Sequence, residues 1–273
     1  MEMEKRYIEI FTGLRRDYGY ADINSAFKDP STGKLKLKYG WAAKELLDSD
    51  YIDHLEGKKS IGVQPCNDDG LSNFGAIDID SDEYDNFDLR KYLEIIDKKN
   101  IPVVPVKSKS GGLHIYVFFK EPVKASFVRN FLDKLLFTFS LKASTEIFPK
   151  QTQLGTGSDG KFINGNFINL PYYNRNERVG LNLDGTEFTF EQFLKVVEAN
   201  KKTKEEIEEF ATELMRLELT GGADEFADGP VCLQRLSKSK LDDYRDRFIY
   251  NYMVFAKKKY PDNWEEKLLE GAR

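Results

Sequence analysis

The chain has 273 residues, with 41 basic and 46 acidic side chains. The resulting net charge of -5 argues against a uniform basic coat for duplex nucleic acid, while leaving room for local basic patches. Two cysteines, Cys66 and Cys232, and two histidines argue against a disulfide framework or a cysteine-based zinc site.

Hydrophobic residues make up 40% of the chain, with 20 Phe and 14 Tyr, which predicts a large aromatic-rich domain with a smaller appendage. The charged start "MEMEKRYIEIF" and strand-length apolar runs such as "IYVFF" predict no membrane segment and a reducing, cytoplasmic setting. Along the chain, "SIGVQP" (60–65) reads as a strand closed by Pro65, and "NFGAIDID" (73–80) as a second. Asp85 or Asn86 caps a predicted helix from about Phe87 to Lys98, stopped by Asn100 and Pro102. "IPVVPV" (101–106) is a proline-bearing strand near a sheet edge, "SKSGG" (108–112) a turn, and "LHIYVFF" (113–119) a buried strand. Val128, Phe131, Leu132, Leu135, Leu136 and Phe139 follow helical spacing. "STEIFP" (144–149) and "NFINLPYY" (166–173) are strands separated by a Gly-rich loop. Thr189 and Gln192 form a capping box for "FEQFLKVVEAN".

This order predicts an α/β (α+β) core with one mixed or antiparallel sheet and helices packed on one side. Beyond about residue 200 the pattern turns helical. The expected division is a core over 1–200, a helical linker over 201–222 and a small helical domain over 223–273, with "TGGADEFADGP" as a hinge.

Asp78 and Asp80 occupy alternate positions of an apolar strand, so both face one way, roughly 6–7 Å apart, while Ile77 and Ile79 face a core. Two like charges on a half-buried strand repel, and a divalent cation between them relieves the repulsion. The bland reading is an acidic turn, since Asp82, Glu83 and Asp85 follow. In "VKSKSGGLHIYVFF", Gly111 and Gly112 let backbone N–H groups converge on an anion. Ser108 and Ser110 add donors, Lys107 and Lys109 add charge, and His114 follows at the strand mouth. A hairpin turn with a core histidine is the competing reading. In "STEIFPKQ", Glu146 lies either on an outer face or beside Asp78 and Asp80, where three carboxylates can hold two metals, with Lys150 near phosphate. Asn166, Asn169, Tyr172 and Tyr173 in "GNFINLPYYN" either read a base or sugar or satisfy loop backbone.

Taken together, "AIDID", "SKSGGLH" and "EIFPKQ", followed by "GNFINLPYYN", resemble the signature motifs of archaeo-eukaryotic primases. The upstream "FTGLRRDYGYADI" and the later "DGPVCLQRL" resemble the primase-polymerase branch of phages, mobile elements, TOTE conflict systems and CRISPR-associated prim-pols. That resemblance implies a catalytic core with an RRM-like mixed or antiparallel sheet and flanking helices, plus a small C-terminal helical appendage. It implies a DNA primase and DNA polymerase in which Asp78, Asp80 and Glu146 ligate two Mg²⁺ or Mn²⁺ ions. Ser108, Ser110, Gly111, Gly112 and His114 would hold the triphosphate of an NTP or dNTP, with Lys150 beside it and Asn169 on ribose or template. The partners implied are a single-stranded or primed DNA template and a helicase or other fused or partner domain, the chain being read as a fragment of a longer protein. Tyr84, Tyr172 and Tyr173 stay open as sugar gates. The alternatives are a non-catalytic single-strand binding or replication-accessory module, a DxD glycosyltransferase, which leaves "SKSGGLH" unexplained, and a nuclease, which the Glu146–Lys150 spacing does not suit.

Overall fold

The computed structural model describes residues 2–28, 30, 35–109, 111–157, 160, 163–219, 226, 229–237 and 245–271. Two compact units are present: Met1–Asp133 with Thr145–Ile207, and Lys134–Ser144 with Glu208–Arg273.

The first unit opens with α1 (Glu2–Ile10), β1 (Tyr18–Lys28), β2 (Leu35–Ala42) and α2 (Asp48–Leu55), none of which hydrophobic periodicity had marked. β3 (Ser60–Val63), β4 (Leu71–Ile79), α3 (Leu89–Lys98), β5 (Val104–Lys107), β6 (Leu113–Lys124) and α4 (Ala125–Thr138) follow. β7 (Glu146–Phe148), β8 (Ile168–Asn169) and α5 (Phe190–Asn200) complete the series, while α4 ends in the second unit and α6 (Lys204–Leu219) lies mostly in it. The α3 helix starts later than expected, because the Asp88 carboxylate accepts from the Arg90 N–H at 3.0 Å while Asn86 sits at φ 60°. It ends where expected: Asn100 adopts φ 48°, a left-handed position asparagine tolerates. The Thr189–Gln192 capping box forms as read.

The single predicted sheet is two antiparallel sheets, in strand orders β2-β1-β3-β8 and β5-β6-β4-β7. β3 and β4 are neighbours in sequence but belong to different sheets, because β3 pairs with β1 and β8. β1 was hard to see, being polar and glycine-bearing with a register that slips between Asp22 and Phe27, and the strand expected over 166–173 forms only as the two residues of β8. β5 lies at an edge, where prolines cost no ladder bond.

Helices cover both faces of the second sheet rather than one. On one face, Phe74, Tyr116 and Phe118 meet Phe11, which follows α1, at ring-centroid distances of 5.3, 5.8 and 5.7 Å. This cluster also takes in Ile61 and Val63 from β3, Tyr51 from α2 and Phe193 from α5, so both sheets border one core. On the other face α4 packs closely enough that a Cβ on Gly75 would lie 2.3 Å from Val128 Cγ1.

In the second unit, α7 (Val231–Leu236), α8 (Arg245–Lys259) and α9 (Trp264–Gly271) share a core of Leu233, Phe248, Tyr252 and Phe255 with Phe226 and Phe137. The stretch read as a hinge and the start of the long terminal helix lie mostly outside the described residues.

Phe11 is fully buried at the centre of the aromatic cluster. Phe11→Ala is expected to cost about 3–5 kcal/mol in urea unfolding, the range for truncating a buried aromatic side chain. A loss below about 1 kcal/mol would show that the two sheets do not share this core.

Candidate active site

The strands that bury aromatic rings at one end carry ionisable groups at the other, on the same face. In β4 this face runs Phe74, Ala76, Asp78, and Asp80 follows just past the strand end. The antiparallel register places Asp78 directly opposite His114 of β6 on one side and Glu146 of β7 on the other. Ile77 lies opposite Ile115 and Ile147 on the reverse face, buried as the alternation required. Cross-strand partners have Cβ atoms only about 4.5–5.5 Å apart, so the pairing alone gathers these side chains.

The face opens into a cleft of about 600 Å³ between the two sheets. Asp78, Asp80, Ser108, His114, Glu146, Lys150 and Asn169 all line it. Ser110 lies outside the described residues. Gly111 and Gly112 shape the turn rather than the wall. Gly111 has φ 86°, and a Cβ on Gly112 would fall 2.2 Å from the Ile79 carbonyl oxygen. Ser108 N–H donates to Gly112 O at 3.0 Å, which closes the turn against the end of β4, and both Ser108 and Asp80 line the cleft.

The electrostatics are divided between the two aspartates. His114 Nε2 lies 3.1 Å from Asp78 Oδ1, while His114 Nδ1 is buried with no hydrogen-bond partner. Burial opposes the charge of Asp78, but its interaction and hydrogen bond with His114, together with the charge of Lys150, outweigh that and lower the carboxyl below its usual range. Asp80 moves the other way: burial, followed by the charges of Asp78, Glu83 and Asp82, raises it. Glu146 is ion-paired with Lys150, whose ammonium also lies 5.4 Å from the Phe148 ring centroid.

A buried Asp78 carboxylate oxygen met by His114, and an Asp80 crowded by like charges, fit a cation. Glu146 has its charge met by Lys150, and among the described residues no group of three or more His, Cys, Asp or Glu side chains is gathered to hold a metal ion.

Hydrogen bonds assign other candidates to scaffolding. Asn166 Oδ1 accepts from Gln151 Nε2 at 2.8 Å, and Gln151 Oε1 accepts from Gln64 Nε2 at 2.9 Å. This amide chain ties the turn after β7 to the end of β3. The Tyr172 and Tyr173 hydroxyls donate to Phe188 O at 3.0 Å and Gly57 O at 2.5 Å, and the Tyr84 hydroxyl bonds Thr145.

Two arginines were not singled out from sequence. Arg129 of α4 donates to Pro149 O and Lys150 O at 3.1 and 2.8 Å, pinning the turn that carries Lys150. Arg178 lines the cleft while its Nε donates to Leu170 O at 2.8 Å, and burial lowers its guanidinium from the usual range. A lone arginine in a polar loop carries no periodic signal.

Residues 18–210 match the family described as "TOTE conflict system, Archaeo-Eukaryotic Primase domain". No curated protein matches the chain at a significant level. Among solved structures, the AEP domain of the cyanophage S-2L primase-polymerase (PrimPol) aligns with 12% identity and a TM-score of 0.35, covering 72% of this chain and 97% of that one.

A raised Asp80 pKa stabilises the fold below the ordinary carboxylate range and loses that contribution as pH rises through the raised value. A lowered Asp78 pKa does the reverse, stabilising above the ordinary range and losing it as pH falls. At pH 7 without added metal, Asp80→Asn should therefore raise Tm, by no more than ~2–4 °C because solvent screens the exposed carboxylate, and Asp78→Asn should lower it. Scanning calorimetry in chelator checks both signs; two shifts in the same direction would refute the division of charge.

Proposed function

We propose, from the premise that the chain belongs to the archaeo-eukaryotic primase domain family of TOTE conflict systems, that it is a template-dependent nucleotidyltransferase, a DNA primase and DNA polymerase. The observation that carries this reading is the register that sets His114, Asp78 and Glu146 abreast, with Asp80 one step further along the same face. Family membership implies nucleotide and nucleic-acid substrates. Among the described residues no helix is long and apolar enough to cross a membrane.

In this reading Asp78 and Asp80 are the principal ligands of Mg²⁺ or Mn²⁺, and Glu146 joins them when Lys150 turns to the substrate. A divalent cation held there lowers the pKa of an attacking hydroxyl and offsets charge on the triphosphate and on the departing pyrophosphate. The chain's own groups do the rest. His114 and Lys150 keep Asp78 ionised, so it is ready as a ligand at neutral pH. The Ser108 hydroxyl, on the cleft wall, would donate to phosphate oxygens, and the Gly111–Gly112 turn would support it from behind, the Gly111 N–H being spent on Ser108 O at 3.3 Å. Lys150 is the mobile cation: its partner Glu146 is exposed, so exchange of a carboxylate for a phosphate requires no buried rearrangement. Asn169 offers an amide to the sugar or the template from the opposite sheet.

The Glu146–Lys150 ion pair also supports a second reading, in which the cleft binds single strands without catalysis because the third ligand is spent internally. Primer extension separates the two. With a primed template, all four nucleotides and Mn²⁺ or Mg²⁺, the protein should add nucleotides, and Asp78→Ala should slow addition by about 10²–10³-fold or more, as loss of a transition-state stabiliser does. Template binding without any product, indifferent to Asp78→Ala, would favour the non-catalytic module and end the polymerase reading.

A further inference from the structure

Facing the carboxylates across the cleft is an aromatic surface formed by Phe167 and Trp41. Gly19 of β1 and Gly62 of β3 are direct partners in the register, and Trp41 of β2 lies opposite Gly19 on its other side. The ring of Phe167 rests on this pair of glycines: a Cβ on Gly19 would come within 2.1 Å of it, and a Cβ on Gly62 within 2.3 Å. Glycine within a strand weakens the strand and marks the close approach of another group. Here two adjacent strands lack side chains at the one place where a phenyl ring lies down. Trp41 stands at its edge, with ring centroids 5.2 Å apart and planes at 86°.

Both rings are half-buried and line the same cleft as Asp78 and Asp80. Phe167 is thus fixed from below and walled on one side. Two residues along, on the same face, Asn169 Oδ1 is buried with no hydrogen-bond partner, an acceptor lacking a donor. A flat aromatic face beside an unmet acceptor, opposite an acidic cation site, matches the chemistry of a nucleotide: a π-face, an amino or hydroxyl group, and a metal-bound phosphate tail.

We propose that Phe167, held on Gly19 and Gly62 and flanked by Trp41, is the seat on which the base of the incoming nucleotide stacks. The inference rests on the nucleotidyltransferase reading and deepens it. Stacking accepts any base because every base has a π-face, so this seat suits an enzyme whose choice of base is left to the template.

The test is calorimetric titration of the full chain with each of four nucleoside triphosphates, and separately with inorganic tripolyphosphate, all with Mn²⁺ and no nucleic acid. Phe167→Leu keeps the niche filled and removes the π-face; Phe167→Tyr keeps the face. Phe167→Leu is expected to weaken all four nucleotides ~5- to 150-fold, the loss of one stacked base, while leaving tripolyphosphate unchanged. Phe167→Tyr should bind like the parent. If Phe167→Leu binds nucleotides as tightly as the parent, the seat serves a template base or none, and the inference falls while the polymerase reading stands. If tripolyphosphate weakens equally, the ring only shapes the cleft, and the inference again falls alone. A parent protein that binds no nucleotide at all would remove both.

Discussion

The site depends on strand register. Asp78 meets His114 and Glu146 only because β4, β6 and β7 pair as they do. A slip of one residue would send Asp78 to the face covered by α4 and bring Ile77 or Ile79 into the cleft. The aromatic cluster resists that slip. Phe74, Tyr116 and Phe118 occupy the same face of the same strands, locked around Phe11. The core holds the register, and the register holds the chemistry.

Charge is then divided along one strand. Asp78 lies between strands, next to His114 and within reach of Lys150, and is held ionised. Asp80 emerges at the strand end among Asp78, Asp82 and Glu83 and is raised by burial and then by their charges. Two carboxylates a single step apart thus differ in their readiness to lose a proton, yet both gain from a nearby cation. The Glu146–Lys150 pair is the local counterweight. It neutralises the third carboxylate and keeps a cation close by, on a turn that Arg129 holds from α4.

Much of this could be read in the sequence, and what could not has a common cause. The acids of "AIDID" stand out because apolar alternation flanks them, and Ile77 and Ile79 are buried as that alternation requires. "SKSGGLH" is legible as a turn entering a strand, and Gly112 proves to need its missing side chain against Ile79. The division into two sheets was hidden, since β1 is too polar and interrupted to show a period, and the strand read over 166–173 pairs only through Ile168 and Asn169. Tyr172 and Tyr173, open in sequence between reading a base or sugar and satisfying backbone, spend their hydroxyls on backbone carbonyls. Gly19, Gly62 and Phe167 come from three separate segments, and only pairing reveals that two glycines make room for one ring. Local pattern announces strands and turns; it does not announce which strand lies beside which.

The central claim is that carboxylates from two strands converge on shared cations. Anomalous diffraction from crystals grown with manganese and a nucleoside triphosphate tests it directly. The account predicts metal peaks bonded to Asp78 and Asp80 at about 2.0–2.2 Å, with Glu146 turned from Lys150 to join them. Manganese bound elsewhere on the chain, with Glu146 still paired to Lys150 beside an ordered nucleotide, would contradict it.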